Sequence, residues 1–327
     1  MRKKQMTYLD EKQTAIKAVT RAAKLCRMVR AEMVVDSLEK GDRSPVTVAD
    51  FGSQALVCRA IKEIFPNDPI VAEEDSTDLR AHAKKLAQVT QYVRRFHGEA
   101  TAETVCHGID AGNGKVASRY WTLDPIDGTK GFLRNDQYAV ALALVENGQI
   151  KVAALACPAL PVNMDEPDGS TGTLLVAVRG QGAELAALES SQFTSIRVAG
   201  GADVGRHRFV ESVEAAHGNH TLQESVARAV GITRPSLRMD SQAKYAAVAR
   251  GDAILYLRLP SPKSPDYREK IWDHAAGVLV VEEAGGTVTD IRGQPLDFGA
   301  DFKMNNNRGV VVSNGAIHTA VLAALNA

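Results

Sequence analysis

The chain has 327 residues, room for about two domains at the usual size of roughly 100 to 200 residues each. Hydrophobic residues make up 45% and charged residues 24%, with 26 Gly and 12 Pro, ordinary globular usage that excludes collagen-like, disordered and disulfide-scaffold chains. Lys plus Arg and Asp plus Glu number 39 each, so the chain lacks the basic excess that gripping long nucleic acid demands, while a small anion held by a local site stays possible.

The apolar stretches at 139–145 and 275–281 are far shorter than the ~20 residues a membrane helix needs. The basic start, Arg2, Lys3 and Lys4, runs into Asp10 and Glu11 without the apolar segment of a leader. Both observations predict a cytosolic protein with no membrane partner. Cys26, Cys58, Cys106 and Cys157 are far apart and show no C-x-x-C or zinc spacing, the pattern of reduced thiols.

In chain order, Ile16, Val19, Ala23, Cys26 and Met33 step by threes and fours and predict an amphipathic helix over 9–33, with Thr7 and Asp10 as a cap pair. A second helix is expected over 47–65, with Phe51, Ala55, Cys58, Ile61 and Phe65 on one face, Asp50 in its first turn and Pro66 past its end. Short apolar runs at 70–72 and 120–123 read as strands that end in acid, the first in Glu73-Glu74-Asp75 and the second in Asp124-Pro125-Ile126-Asp127. Asn147-Gly148 between apolar runs predicts a hairpin, so the first half reads as helices on an antiparallel sheet. The Pro-, Asp-, Gly- and Ser-rich stretch 158–172 reads as an exposed connection or lid, and a domain boundary is placed there. Beyond it, strands at 209–213, 253–259 and 309–312 alternate with helices at 222–230, 242–249 and 272–283, an α/β layer.

The chemistry concentrates in Asp124-Pro125-Ile126-Asp127-Gly128-Thr129, two carboxylates three apart followed by a Gly and a Thr that can open a helix. Oxygen-only donors suit a hard cation such as Mg²⁺, and a helix N-terminus beside them offers N–H groups to an anion. A polar turn capping a helix explains the same residues. Glu73 at another strand end and Asp273 at the head of an apolar helix raise the count of separated carboxylates to four, enough for a two-metal site if the fold gathers them.

These segments together, WTLDPIDGTKGFLR at 121–134, VAEED at 71–75 and WDHAAGVLVVEEAGG at 272–286, resemble the three signatures of the inositol monophosphatase superfamily of Mg²⁺-dependent, lithium-sensitive phosphatases, and within it the branch that acts on adenosine bisphosphates. The resemblance extends from about Ser44 to the C-terminal region. It implies that Glu73, Asp124 and the carbonyl of Ile126 hold one Mg²⁺ and that Asp124, Asp127 and Asp273 hold a second, with a third, weaker ion near Glu73. It implies that Asp50 pairs with Thr129 to orient and deprotonate water, and that Gly128 and Thr129 meet the substrate. Ser241, Lys244, Arg258 and His217 would contact its non-reacting phosphate, with Glu214 near the nucleotide. Read without the family, Ser241 is also a helix cap, Lys244 a solvated first-turn residue, Arg258 a surface strand residue and His217 a locally satisfied histidine. Where the family has glycine after G-F-L-R this chain has Asn135, a residue that tolerates left-handed φ.

The expectation is therefore an α/β (α+β) protein, a layered αβαβα sandwich of the inositol monophosphatase and fructose bisphosphatase type. Residues 1–165 would form an α+β metal-binding catalytic domain, and 166–327 an α/β domain supplying Asp273 and nucleotide contacts. The expected reaction is removal of the 3'-phosphate from adenosine 3',5'-bisphosphate and from its sulfated counterpart, by a cytoplasmic monomer. An inositol (poly)phosphate phosphatase and a non-hydrolytic nucleotide sensor are the alternatives.

Overall fold

The computed structural model describes residues 7–40, 45–164, 166, 169–202, 204–213, 220–260 and 266–327. Glu214 and His217 lie outside them.

Two long helices open the chain, α1 (Leu9–Lys40), with Asp10 and Glu11 favourably placed in its first turn, and α2 (Pro45–Ile64). After β1 (Ile70–Ala72) come three short helices, α3 (Thr77–Ala81), α4 (Ala83–Arg94) and α5 (Ala102–Asp110). Then follow β2 (Arg119–Asp127), α6 (Thr129–Leu133), β3 (Ala139–Glu146), β4 (Gln149–Pro161), β5 (Thr171–Val178), β6 (Gly182–Ala187) and β7 (Thr194–Ile196). Strands β1 to β7 form one sheet in sequence order, antiparallel except for the parallel β1–β2 pair. The Asn-Gly turn joins β3 to β4 as expected, with Asn147 and Gly148 both at positive φ. Pairing of β4 with β5 carries this sheet across the 158–172 connection, and it ends at Ile196.

The second sheet is assembled from β8 (Phe209–Glu211), β9 (Leu237–Arg238), β10 (Leu255–Arg258), β11 (Thr287–Thr289) and β12 (Val310–Ser313), in the order β11-β12-β10-β8-β9. Its helices are α7 (His220–Ala229), α8 (Ala243–Ala249), α9 (Ala275–Glu283) and α10 (His318–Leu325). A 3₁₀ turn, Ile271–Asp273, leads into α9, so Asp273 precedes that helix instead of lying within it.

Three apolar clusters stack these pieces into alternating layers. The first packs α1 and α2 on one face of the seven-stranded sheet, and the second packs α8 and α9 between that sheet's other face and the second sheet. In the third, α7 and α10 cover the second sheet from outside. The result is the expected αβαβα sandwich. Strand β3 shows how sequence sets the layers, because Val140, Leu142 and Leu144 face α1 and α2 while Ala139, Ala141 and Ala143 face the α9 side. Small residues let α9 come close, and α9 is buried all round from Ala275 to Val281 because it has a sheet on both sides.

Candidate active site

Asp124 and Asp127 stand near the end of β2, where alternation would put residues three apart on opposite faces. The register against β3 shifts here, Asp124 opposite Ala141 but Asp127 opposite Ala139, so β2 carries one extra residue. That bulge returns both carboxylates to one side. Pro125, with no N–H to give a ladder, sits inside the bulge, and its carbonyl accepts a hydrogen bond from the buried Ser53 hydroxyl at 2.8 Å. The acids therefore lie within the strand's irregular end, not in a turn after it.

Ser53 and Gln54 follow Asp50 on α2 at the three- and four-residue steps that share a helix face. Gln54 accepts from the Glu74 N–H at 3.1 Å and donates to the carbonyls of Glu74 and of Ile109, the latter at 2.9 Å. One buried amide thus fixes the loop after β1 that carries Glu73. Sequence reasoning passed over both residues, although two polar side chains on the buried face beside Asp50 were a usable signal.

The structure brings Asp50, Glu73, Asp124, Asp127 and Asp273 into one electrostatic cluster. Burial raises Asp124 well above the carboxylate range, and Glu73, Asp127, Asp273 and Asp50 raise it further by repulsion. Asp50 is raised by burial and then by Glu74 and Glu73. Burial pushes Asp273 up to about 7 against the pull of His274, with Asp127 adding to the rise. Glu73 also reaches about 7, through burial first and then Glu74 and Asp127. Asp127 is raised by burial, with Lys244 and the Gln242 N–H pulling the other way.

The donor set fits a hard divalent cation. One Asp124 oxygen, Oδ1, is buried with no hydrogen-bond partner among the described residues, and such an orphan surrounded by other carboxylates is what a bound cation would satisfy. Donor atoms of Glu269, Asp273 and His274 also lie within 4.8 Å of one another, but both ring nitrogens of His274 are engaged, by Glu269 at 3.2 Å and by the Tyr245 hydroxyl at 2.7 Å.

Gly128 takes φ +87° ahead of α6, and a Cβ there would come within 2.8 Å of the Ser241 Cβ. That close approach lets the start of α6 sit against α8. The exposed Thr129 hydroxyl donates to the Ile126 carbonyl at 3.4 Å, not to the Asp50 carboxylate expected from sequence. The N–H groups at the start of α8 are also taken: Gln242 N–H goes to Asp127, and Ala243 N–H goes to the Ser241 hydroxyl at 3.1 Å. Ser241 itself is at φ +66° and precedes a helix that starts only at Ala243.

A cavity of about 260 Å³ joins these pieces, lined by Asp127, Gly128, Thr129 and Asp273 together with Ser241, Lys244, Arg258 and Glu269. Lys244 is buried, not solvated. Its ammonium reaches the Met239 carbonyl at 3.4 Å and stands 5.2 Å from the Tyr256 ring centre. Burial lowers its pKa to about 8 although Asp127 opposes the change. Arg258 is no free surface residue either, since its Nε pairs with Glu269 at 3.1 Å. Gln242 spans the layers by donating to the Trp272 carbonyl at 2.8 Å and accepting from the Gly277 N–H at 3.0 Å, and Trp272 stacks on Phe302 at 5.8 Å. The turn bearing Asp273 is thus held from both ends. Asn135 adopts φ +60°, as its left-handed tolerance predicts.

Five alternating layers with an acid-lined cleft between the two sheets define the class of layered α/β phosphatases. The family model described as "Inositol monophosphatase family" matches residues 7–327, and the chain belongs to that family. It is 43% identical over 339 residues to the 3'(2'),5'-bisphosphate nucleotidase of Schizosaccharomyces pombe, covering 98% of this chain and 96% of that protein. It is also 43% identical over 350 residues to the protein of the same name from Emericella nidulans, covering 98% of each. Among solved structures, an inositol monophosphatase from Anabaena (Nostoc) sp. PCC 7120 superposes with a TM-score of 0.64 at 20% identity, over 97% of this chain and 95% of that one, which establishes the shared fold. No described helix is long and apolar enough to cross a membrane.

Proposed function

We propose that the chain is a Mg²⁺-dependent 3'(2'),5'-bisphosphate nucleotidase that removes the 3'-phosphate from adenosine 3',5'-bisphosphate, giving AMP, and from 3'-phosphoadenylyl sulfate. The observation that carries this reading is the presence of two cations, the buried Lys244 and the partly buried Arg258, in the same cavity as Asp127 and Asp273. One end suits the reacting phosphate and the other a second phosphate, which matches the name shared by the relatives.

Glu73, Asp124 and the Ile126 carbonyl would hold one ion, Asp124, Asp127 and Asp273 a second, and Glu73 a weaker third. Bound there, Mg²⁺ supplies charge neutralisation for the transferred phosphoryl group and acidifies water. The Thr129 hydroxyl orients the attacking water, and Asp50, whose burial beside Glu74 and Glu73 favours its protonated form, takes the proton. Little is lost when that hydroxyl turns to Asp50, because its present bond at 3.4 Å is long. Gly128 and Thr129 receive the reacting phosphate; Ser241, Lys244 and Arg258 receive the other, with Glu214 and His217 beside the nucleotide. Residues 1–165 carry the metal-facing acids, and 166–327 add Asp273 and the nucleotide contacts. Four buried free thiols support work in the reducing cytosol, where the chain would act as a monomer.

Phosphate release from adenosine 3',5'-bisphosphate and from inositol 1-phosphate, each with Mg²⁺, with Mg²⁺ plus lithium and with chelator, tests this. Preference for the nucleotide, lost with lithium or chelator, is the expected result. Preference for the inositol ester would leave the acids in place and discard the second-phosphate pocket.

A further inference from the structure

Arg258 enters the cavity from the end of β10, and what aims it is a residue eleven positions later that no sequence motif marks. Glu269 divides its two oxygens: Oε1 accepts from Arg258 Nε at 3.1 Å, and Oε2 faces His274 Nε2 at 3.2 Å. Across the imidazole, His274 Nδ1 meets the Tyr245 hydroxyl at 2.7 Å. An ionised carboxylate only accepts, so His274 presents an N–H to Glu269 from Nε2. Two of these bonds have a fixed direction, His274 to Glu269 and Arg258 to Glu269.

The relay's anchors are independent of Arg258. The Glu269 carbonyl accepts from the Met304 N–H at 2.9 Å, and the Ile271 N–H donates to the Phe302 carbonyl at 3.0 Å, so the backbone is held on both sides of the carboxylate. Tyr245 is buried on α8 next to Lys244, and its ring meets Tyr256 edge-on at 5.4 Å. Glu269 thus references Arg258 to the helix that carries the other cavity cation. It also offsets a repulsion, since Arg258 and Lys244 line one cavity and repel while Glu269 favours the charge on both.

We propose that Glu269 is a positioning residue for the second phosphate: it turns the Arg258 guanidinium into the geometry that, together with Lys244, selects a bisphosphate over a monophosphate. This rests on the reading of the cavity given above. Glu269 lines the cavity too, but a carboxylate repels phosphate, so it acts through Arg258. Because a charge-assisted hydrogen bond that orients a binding cation contributes equally in ground and transition states, its loss belongs in KM and not in kcat.

The test compares adenosine 3',5'-bisphosphate with adenosine 3'-monophosphate, which has the same scissile ester and no second phosphate. Glu269→Gln is expected to raise KM for the bisphosphate by about 10- to 100-fold with kcat little changed, and to leave kcat/KM for the monophosphate within about threefold. In an Arg258→Ala background the same substitution should have no further effect on the ratio of the two substrates. Glu269→Asp, which keeps the charge but shortens the reach, should fall between wild type and Glu269→Gln and gives the same comparison should Glu269→Gln not fold. Equal losses on both substrates, or an additive effect with Arg258→Ala, would overturn the inference and make Glu269 a structural support of the Asp273 turn. A wild-type enzyme that shows no preference between the substrates would instead overturn the reading of the cavity on which the inference rests.

Discussion

Asp124 is surrounded by its own kind. With its neighbours it is raised by burial and repulsion, so in the metal-free protein these carboxyls bind more protons folded than unfolded over the interval between the two pKa values. For Asp273 that interval runs from the ordinary value near 4 to about 7. Stability of the metal-free protein should therefore fall as pH rises from about 4 to 7, and saturating Mg²⁺ should reverse the slope by binding the ionised forms. Glu73 is the most exposed of the set, so solvent screens it and Asp124 and Asp273 carry the effect. Asp124→Asn removes the central charge: it should raise the melting temperature of the metal-free protein by about 2 °C or more while turnover is lost. Thermal melts at pH 4.5 and 7, with chelator and with Mg²⁺, check both statements. A metal-free protein that is more stable at pH 7 would show that the acids are not crowded in solution as they are in this fold.

At the scale of elements, α10 is tied to the second sheet by one imidazole. His318 bonds the Ser313 hydroxyl through Nδ1 and the Thr289 hydroxyl through Nε2, both at 2.9 Å, and so links α10 to β12 and β11. Burial lowers its pKa below the usual 6.5. A folded-state pKa that is depressed gives stability present above the unfolded value and lost as pH falls below it, the opposite sign to the acid cluster. In saturating Mg²⁺, His318→Asn should flatten the loss of melting temperature between pH 7 and pH 5; an unchanged slope would place that loss elsewhere. Elements were also what the sequence showed best. The apolar periods of α1, α2 and β3, the Asn-Gly turn and the acids at strand ends are local signals, and the fold used each of them. Asp124 and Asp127 were legible because they sit together after an apolar run, but the bulge that turns them to one side was not, since it exists only in register with β3. Gln242 and Glu269 were invisible for a related reason: their partners, Trp272 with Gly277 and Arg258 with His274, are brought near by packing between layers. The Pro- and Gly-rich connection after β4 looked like a border because composition marks exposure, whereas pairing of β4 with β5 is decided across it.

On the scale of the whole molecule, the cavity is where the two sheets' layers meet, and its walls come from both. Asp127, Gly128 and Thr129 belong to the first sheet and its following helix, while Ser241, Lys244, Arg258 and Asp273 arrive with the second. The Gln242 N–H bonds Asp127 and Lys244 attracts it, yet the acids still repel one another, and so do Lys244 and Arg258. Ligands of opposite charge therefore serve as struts, and each should stabilise the fold by an amount set by its own affinity. A ligand at 100 times its Kd contributes about 2.7 kcal/mol. Mg²⁺ should raise the melting temperature alone, and AMP added to the Mg²⁺-loaded protein should raise it again, because its phosphate bridges the Lys244 wall. Lys244→Ala separates the two contributions: it should keep the Mg²⁺ shift and lose most of the AMP shift at the same concentrations. Loss of both shifts would mean that Lys244 supports the acid wall through Asp127 and not the nucleotide, and retention of both would move the second phosphate away from this cavity.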